Sequence, residues 1–219
     1  MLCITCVILI FPIKSGAGWT PLAVSDYATP LQGTGLPAGY RLKNLSNILQ
    51  PIIEKHAAGD ANESTTWLNS TTAIHTLGDE LYFEIGGMRQ KLDDDWLEVV
   101  IKTNAELMSS HRMFAQGIDP ETLDAYPAQV LVKARNGDEP YDWQARWIEC
   151  GGPKCNGRLI ALKNHPVWLR LSDFGHPHPP FAFGSGMDVI DISRVEAVEL
   201  ALTGWRDDIQ VPPCPICDG

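Results

Sequence analysis

Residues 157–204 read GRLIALKNHPVWLRLSDFGHPHPPFAFGSGMDVIDISRVEAVELALTG, and no other stretch is so dense in residues that fix a backbone. Arg158 to Lys163 is a compact apolar run. Asn164-His165-Pro166 breaks it, because the residue before a proline is pushed out of the helical region. Val167 to Leu171 is a short segment carrying Trp168. HPHPPFAF follows, and its prolines cannot supply a backbone ladder, so an extended, stiff loop is expected. Phe174, Phe181 and Phe183 are expected to pin that loop to a core, with Gly184-Ser185-Gly186 as a sharp bend. Ser193-Arg194-Val195-Glu196 then fits a capping box, in which Ser193 caps a helix and Glu196 returns the hydrogen bond. Val195, Val198, Glu199 and Leu202 continue that helix, which Gly204 closes.

Working outward, the 219 residues suffice for one substantial domain plus tails. With 44% hydrophobic and 20% charged residues the chain can bury a real core. A net charge of −10 argues against a broad nucleic-acid surface, which needs clustered Lys and Arg to displace counterions. Seven tryptophans suit either a core or an interface. The apolar stretch at residues 1–13 is too short to span a bilayer and lacks the positive flank of a signal peptide. A Gly/Pro/Ser/Thr-rich stretch follows, so residues 1–39 read as an extended or disordered arm.

Residues 40–125 read as helical. A first helix is expected over 42–57, kinked at Pro51. Residues 58–72 look like a polar loop, and residues 73–85 are ambiguous between helix and strand. The clearest helix runs from about Gln90 to Gln116, with Leu92, Trp96, Val99, Thr103, Leu107 and Phe114 on one stripe. Asp93, Asp94 and Asp95 suit its positive end, whereas consecutive helical residues diverge too far to share one ion. Asp119-Pro120 opens a short helix. Residues 127–135 form a strand or short helix ending in a turn at Asn136-Gly137-Asp138. Residues 141–149 form a helix with Trp143 and Trp147 on one face. The span 126–205 is read as the compact core carrying the proline loop, and 206–219 as a tail. The fold class expected is therefore α+β, a helical N-terminal half packed on a small mixed region with short strands and a Pro/Gly/Phe-rich loop.

Two groups of residues could carry chemistry. His176 and His178 lie on one side of an extended chain, close in sequence to Asp173 and Asp188, which would serve a His/Asp hydrolase. Cys214 and Cys217 have the spacing of a zinc knuckle, with Cys150 and Cys155 as a looser second pair, and His176 and His178 as further metal candidates. No third and fourth ligand are specified, so no cofactor is expected, with zinc as the alternative in a zinc-stabilised interaction module. The local cysteine pairs in a chain this long favour a reduced, cytosolic setting. Phosphate-cradling, nucleophile-elbow and dinucleotide motifs are absent from the sequence.

Residues 126–204, from YPAQVLVKARNGDEPYDWQARWIECGG through the stretch quoted above, resemble the Mu F-like head-morphogenesis proteins of bacteriophages and prophages. The positions that carry the resemblance are His165, Pro166, Trp168, Pro179, Pro180, Phe181, Phe183, Ser185, Gly186, Met187, Asp191, Ser193, Arg194, Glu196 and Ala197. The resemblance implies a minor head protein, not an enzyme, acting near the portal, with phage portal and capsid proteins as partners. It implies location in the virion, and in host cytoplasm during assembly. No membrane and no sequence-specific nucleic acid are expected as partners. Trp168, Phe174, Pro179, Pro180, Phe181, Phe183 and Met187 are the expected protein-contact loop.

Overall fold

The structure, a computed structural model, describes residues 11–15, 18–21, 38–75, 82–85, 88–91, 93–135 and 141–202. It is α+β, with helices and a small antiparallel sheet. The chain divides into two compact units, the division falling between Ser109 and Ser110. That point lies inside the helix Asp94–Gly117.

The first unit opens with β1 (Pro12–Ser15) and β2 (Gly18–Pro21), an antiparallel hairpin. The expected arm therefore contains regular structure. Phe11, just before it, is buried and stacks on Trp96 with ring centroids 5.9 Å apart. Helix α1 (Ala38–Ala58) runs through Pro51 and buries Leu49 and Ile53. Helix α2 (Glu63–His75) occupies most of what reads as a polar loop. Its polar residues make a helix because they satisfy it internally. Asn62 Oδ1 accepts from the Thr65 amide at 2.8 Å, as an N-cap does. The hydroxyls of Thr66 and Thr72 donate to carbonyls four residues back. Thr66 and Ser70, not large apolar groups, form its buried face.

The ambiguous segment resolves into the end of α2 and strand β3 (Tyr82–Ile85), which pairs with β4 (Met88–Lys91). Gln90 and Lys91 thus belong to a strand. Helix α3 (Asp94–Gly117) starts where the Asp93 carboxylate accepts from the Trp96 amide at 3.2 Å. Trp96, Thr103 and Leu107 of the expected stripe are buried, together with Val100 and Asn104.

In the second unit, the last turns of α3 lead into α4 (Pro120–Ala125), whose N-cap Asp119 accepts from the amides of Glu121 and Thr122. Strand β5 (Ala128–Lys133) follows, and the turn expected at Asn136 lies outside the described residues. Helix α5 (Trp143–Glu149) is capped by the Asp142 carboxylate. Strands β6 (Lys154–Cys155) and β7 (Arg158–Leu162) form a hairpin over Asn156-Gly157, both at positive φ, 52° and 80°. Those angles suit the primed two-residue turns that match strand twist. Next come α6 (Val167–Leu171), β8 (Met187–Ile192) and α7 (Arg194–Glu199).

The sheet order is β6-β7-β5-β8, antiparallel throughout. Alternate residues of each strand serve two cores. Leu131, Ala161 and Met187 pack with Trp147, Trp168, Leu171 and Phe181. Ala128, Val130, Ile160 and Ile192 pack with Ala197 of α7. A sheet covered on both faces reads in sequence as continuous apolar runs, and VLV and LIAL are such runs.

The capping box is only half formed. Ser193 Oγ accepts from the Glu196 amide at 3.3 Å, but the Glu196 carboxylate pairs with Arg158 of β7 instead of returning to Ser193. Helix α7 also ends before Gly204. The amide of Leu202 reaches back to Ala197 O and that of Ala201 to Val198 O, a Schellman ending. Helix α5 ends the same way, from Gly152 to Trp147 and from Gly151 to Ile148. Gly151 holds the left-handed position there at φ 80°, whereas in α7 Ala201 holds it at φ 54°. An alanine Cβ is crowded in that region, and glycine is not. Ala201→Gly is therefore expected to stabilise the unit by about 0.5–1 kcal/mol, after allowing for the greater freedom of glycine in the unfolded chain. A denaturant midpoint unchanged or lowered by this substitution would refute the account of the ending.

Candidate functional site

Three imidazoles meet in the second unit. His111 comes from the last turns of α3; His176 and His178 come from the loop between α6 and β8. The His178 ring lies 5.4 Å from that of His111, edge-on, and 5.4 Å from that of His176, nearly parallel to it. Phe114, one turn beyond His111, lies 5.6 Å away.

The loop holds this geometry through its own hydrogen bonds. Ser172 Oγ accepts from the amides of Phe174 and His176. The Asp173 amide donates to Phe181 O at 2.8 Å, closing the loop on itself. The amides of Ala134 and Arg135 both donate to Gly186 O, tying the far end to β5. Ser185 Oγ accepts from the Met187 amide.

His178 is 4% exposed. Its Nδ1 lies 3.0 Å from Pro179 O. A carbonyl can only accept, so Nδ1 must carry the proton, and Nε2 is left as a bare lone pair. That Nε2 is buried without a hydrogen-bond partner. Burial pushes the His178 pKa down to about 3, against the Pro179 carbonyl, which raises it; His176 and His111 lower it further. Burial also lowers His176, with His111 adding to it, and lowers His111. All three rings are therefore neutral near pH 7.

The carboxylates expected to join them go elsewhere. Asp173 pairs with Arg146 of α5 at 2.6 Å, and the same guanidinium donates to Leu171 O. Asp188 is exposed on β8 and accepts from the Val189 amide. Among the described residues neither His176 nor His178 is paired with Asp173 or Asp188. An imidazole held down near pKa 3 is moreover a poor general base at neutral pH. The structure thus assembles the histidines of the hydrolase reading without its acids.

Cys150 and Cys155 are both free and half-buried, but they pack on different clusters, Cys150 on the one that contains Trp147 and Trp168, Cys155 on the one that contains Ile160 and Ile192. Cys150 Sγ is engaged with Arg170 O. Among the described residues no three His, Cys, Asp or Glu side chains are gathered as metal ligands. Cys214 and Cys217 lie outside the described residues.

The expected contact loop is corrected most sharply. Trp168, Phe181, Phe183 and Met187 are buried, and Pro179 and Pro180 with them. Phe174 is half-buried, edge-on to Phe183 at 4.8 Å. These side chains are the interior of the second unit, because prolines and aromatics without a strand ladder are held in place by burial. His165 is a local cap, its Nδ1 accepting from the Val167 amide at 3.1 Å. Lys163 is also structural. Its ammonium, on a side chain only 3% exposed, bridges Asp191 at 2.9 Å and Gly117 O at the end of α3.

His111 was missed from sequence. Its signal was position: Leu107, His111 and Phe114 stand at helical spacing, so the imidazole continues the apolar stripe. No helix among the described residues is long and apolar enough to cross a membrane. No family model, curated protein or solved structure matches this chain.

Proposed function

We propose that the chain is a phage or prophage minor head protein that acts in head morphogenesis through contacts with portal and capsid subunits. The observation that carries this reading is where the matching residues fall. Pro179, Pro180, Phe181, Phe183, Ser185, Gly186 and Met187 are all buried, so the loop part of the resemblance rests on residues that determine a fold, while Pro166, Asp191 and Arg194 of the same set are exposed. Residues that build an interior are poor candidates for direct partner contact, and that role passes to the surface beside them. Ile190 of β8 is 58% exposed, and Val195 and Val198 of α7 are 70% and 59% exposed. Val195 and Val198 stand one turn apart on the same helix face.

The reading is tested by co-expressing the chain with the portal protein, and separately with the major capsid protein, of the genome that carries its gene. Co-elution with the portal is expected. A Val195→Asp/Val198→Asp double variant should weaken that association about tenfold or more while leaving the thermal transition in place, since a buried charge is costly at an interface. A chain that elutes alone in both mixtures overturns the proposal.

A further inference from the structure

Among the described residues, the imidazole cluster is the one buried titratable group to which neither the fold nor the head-protein reading gives a role. We propose that His111, His176 and His178 form an acid-sensitive latch: proton uptake by the cluster releases the 174–186 loop from the last turns of α3. The proposal does not depend on the head-protein reading.

The geometry leaves a proton nowhere favourable to go. His178 Nδ1 is committed to Pro179 O, so an incoming proton must take Nε2, which is buried and faces no acceptor. The charged ring would then lie between two other imidazoles, each 5.4 Å away. A buried cation without an acceptor is strongly unfavourable, and moving the loop outward returns it to water.

The groups seen against the ring are themselves aromatic or imidazole. From α3 the ring faces His111 and Phe114; from the loop it faces His176. The ionisable residues flanking His111 along α3 are Glu106 and Arg112. Asp173 is held by Arg146, Lys163 by Asp191 and Gly117 O, and Arg170 acts on His165. Burial lowers the pKa of both His176 and His178, and the neighbouring imidazoles of the cluster lower them further.

The sign follows from linkage. Histidines lowered in the closed state contribute stability above the ordinary value near 6.5, and lose it as pH falls below that value. His178 alone, held near 3 when closed, raises the opening equilibrium about 30-fold between pH 7.5 and pH 5. His176 and His111 add to this in the same direction.

The test is hydrogen exchange of the full chain at pH 7.5 and pH 5, corrected for intrinsic rates. The amides of Asp173 and Ser185 report the loop, and those of β5 serve as the internal reference. The loop amides are expected to lose about 30-fold or more of their protection at pH 5, with β5 changing much less. Equal change in both, or no change in the loop, overturns the latch. His178→Phe, whose ring can keep the contact with Phe114, should remove most of the loop's pH response; a full response in that variant also overturns it. Should the variant not fold, an NMR titration of the wild-type imidazoles decides. Protonation of His178 that coincides with a shift or broadening of the 174–186 amides supports the latch, and a ring that titrates near 6.5 while those amides stay unchanged refutes it.

Discussion

Replacing Gly152 by alanine is expected to destabilise the second unit by about 3 kcal/mol. A Cβ on Gly152 would sit 2.3 Å from both Cε2 and Nε1 of Trp147, and 2.5 Å from Cδ2. The ring cannot move aside cheaply. Trp147 is fully buried, its indole N–H donates to Pro153 O at 2.8 Å, and its ring makes an edge-to-face pair with Trp168, centroids 5.0 Å apart. Displacing it breaks a buried hydrogen bond and disturbs the central cluster together. Backbone strain has no part in this, since Gly152 is outside the left-handed region that Gly151 occupies. Urea unfolding measures the effect. A double-mutant cycle with Trp147→Leu identifies its cause, because removing the ring should make the alanine nearly harmless. A Gly152→Ala cost below about 0.5 kcal/mol would mean that the indole does not cover this turn.

Trp168→Ala should cost about 3–5 kcal/mol, mostly as a cavity. Trp168 is fully buried between Trp147 and Phe181, and its indole N–H donates to Leu162 O at 2.8 Å. Losing that donor does not orphan the carbonyl, which also accepts from the His165 amide at 3.0 Å. The cavity term therefore dominates, and Trp168→Phe, which refills much of the space, should cost only about 1–2 kcal/mol. Near-UV circular dichroism from the Trp147–Trp168 pair should vanish in both variants. An alanine variant as stable as the phenylalanine variant would rule out tight packing around the indole.

Trp168 also shows why the organising stretch was legible as a segment held by packing, while the side chains expected at its surface proved to be buried. Large aromatics next to prolines and glycines mark a segment that must be fixed by burial, and that much is local chemistry. Whether they are buried within the chain or under a partner depends on what lies across from them, and both settings favour the same residues. The helix α2 was lost for the opposite reason. Its buried face consists of Thr66 and Ser70, so it carries no apolar period for a sequence to display. The Asn156-Gly157 turn was not read, although the same dipeptide rule that flagged residues 136–138 applies to it.

Local signals determined α3, α4 and α5, the caps at Asp93, Asp119 and Ser193, and the stiffness of the proline loop, because each depends on residues within a few positions of one another. Tertiary structure decided the rest. It placed His111 against two histidines more than sixty residues away, sent Asp173 to Arg146 and Glu196 to Arg158, and turned the phenylalanines inward. The physical reason is that a side chain's partner and its exclusion from water are properties of the packed whole, and charge, burial and proton affinity all follow from them.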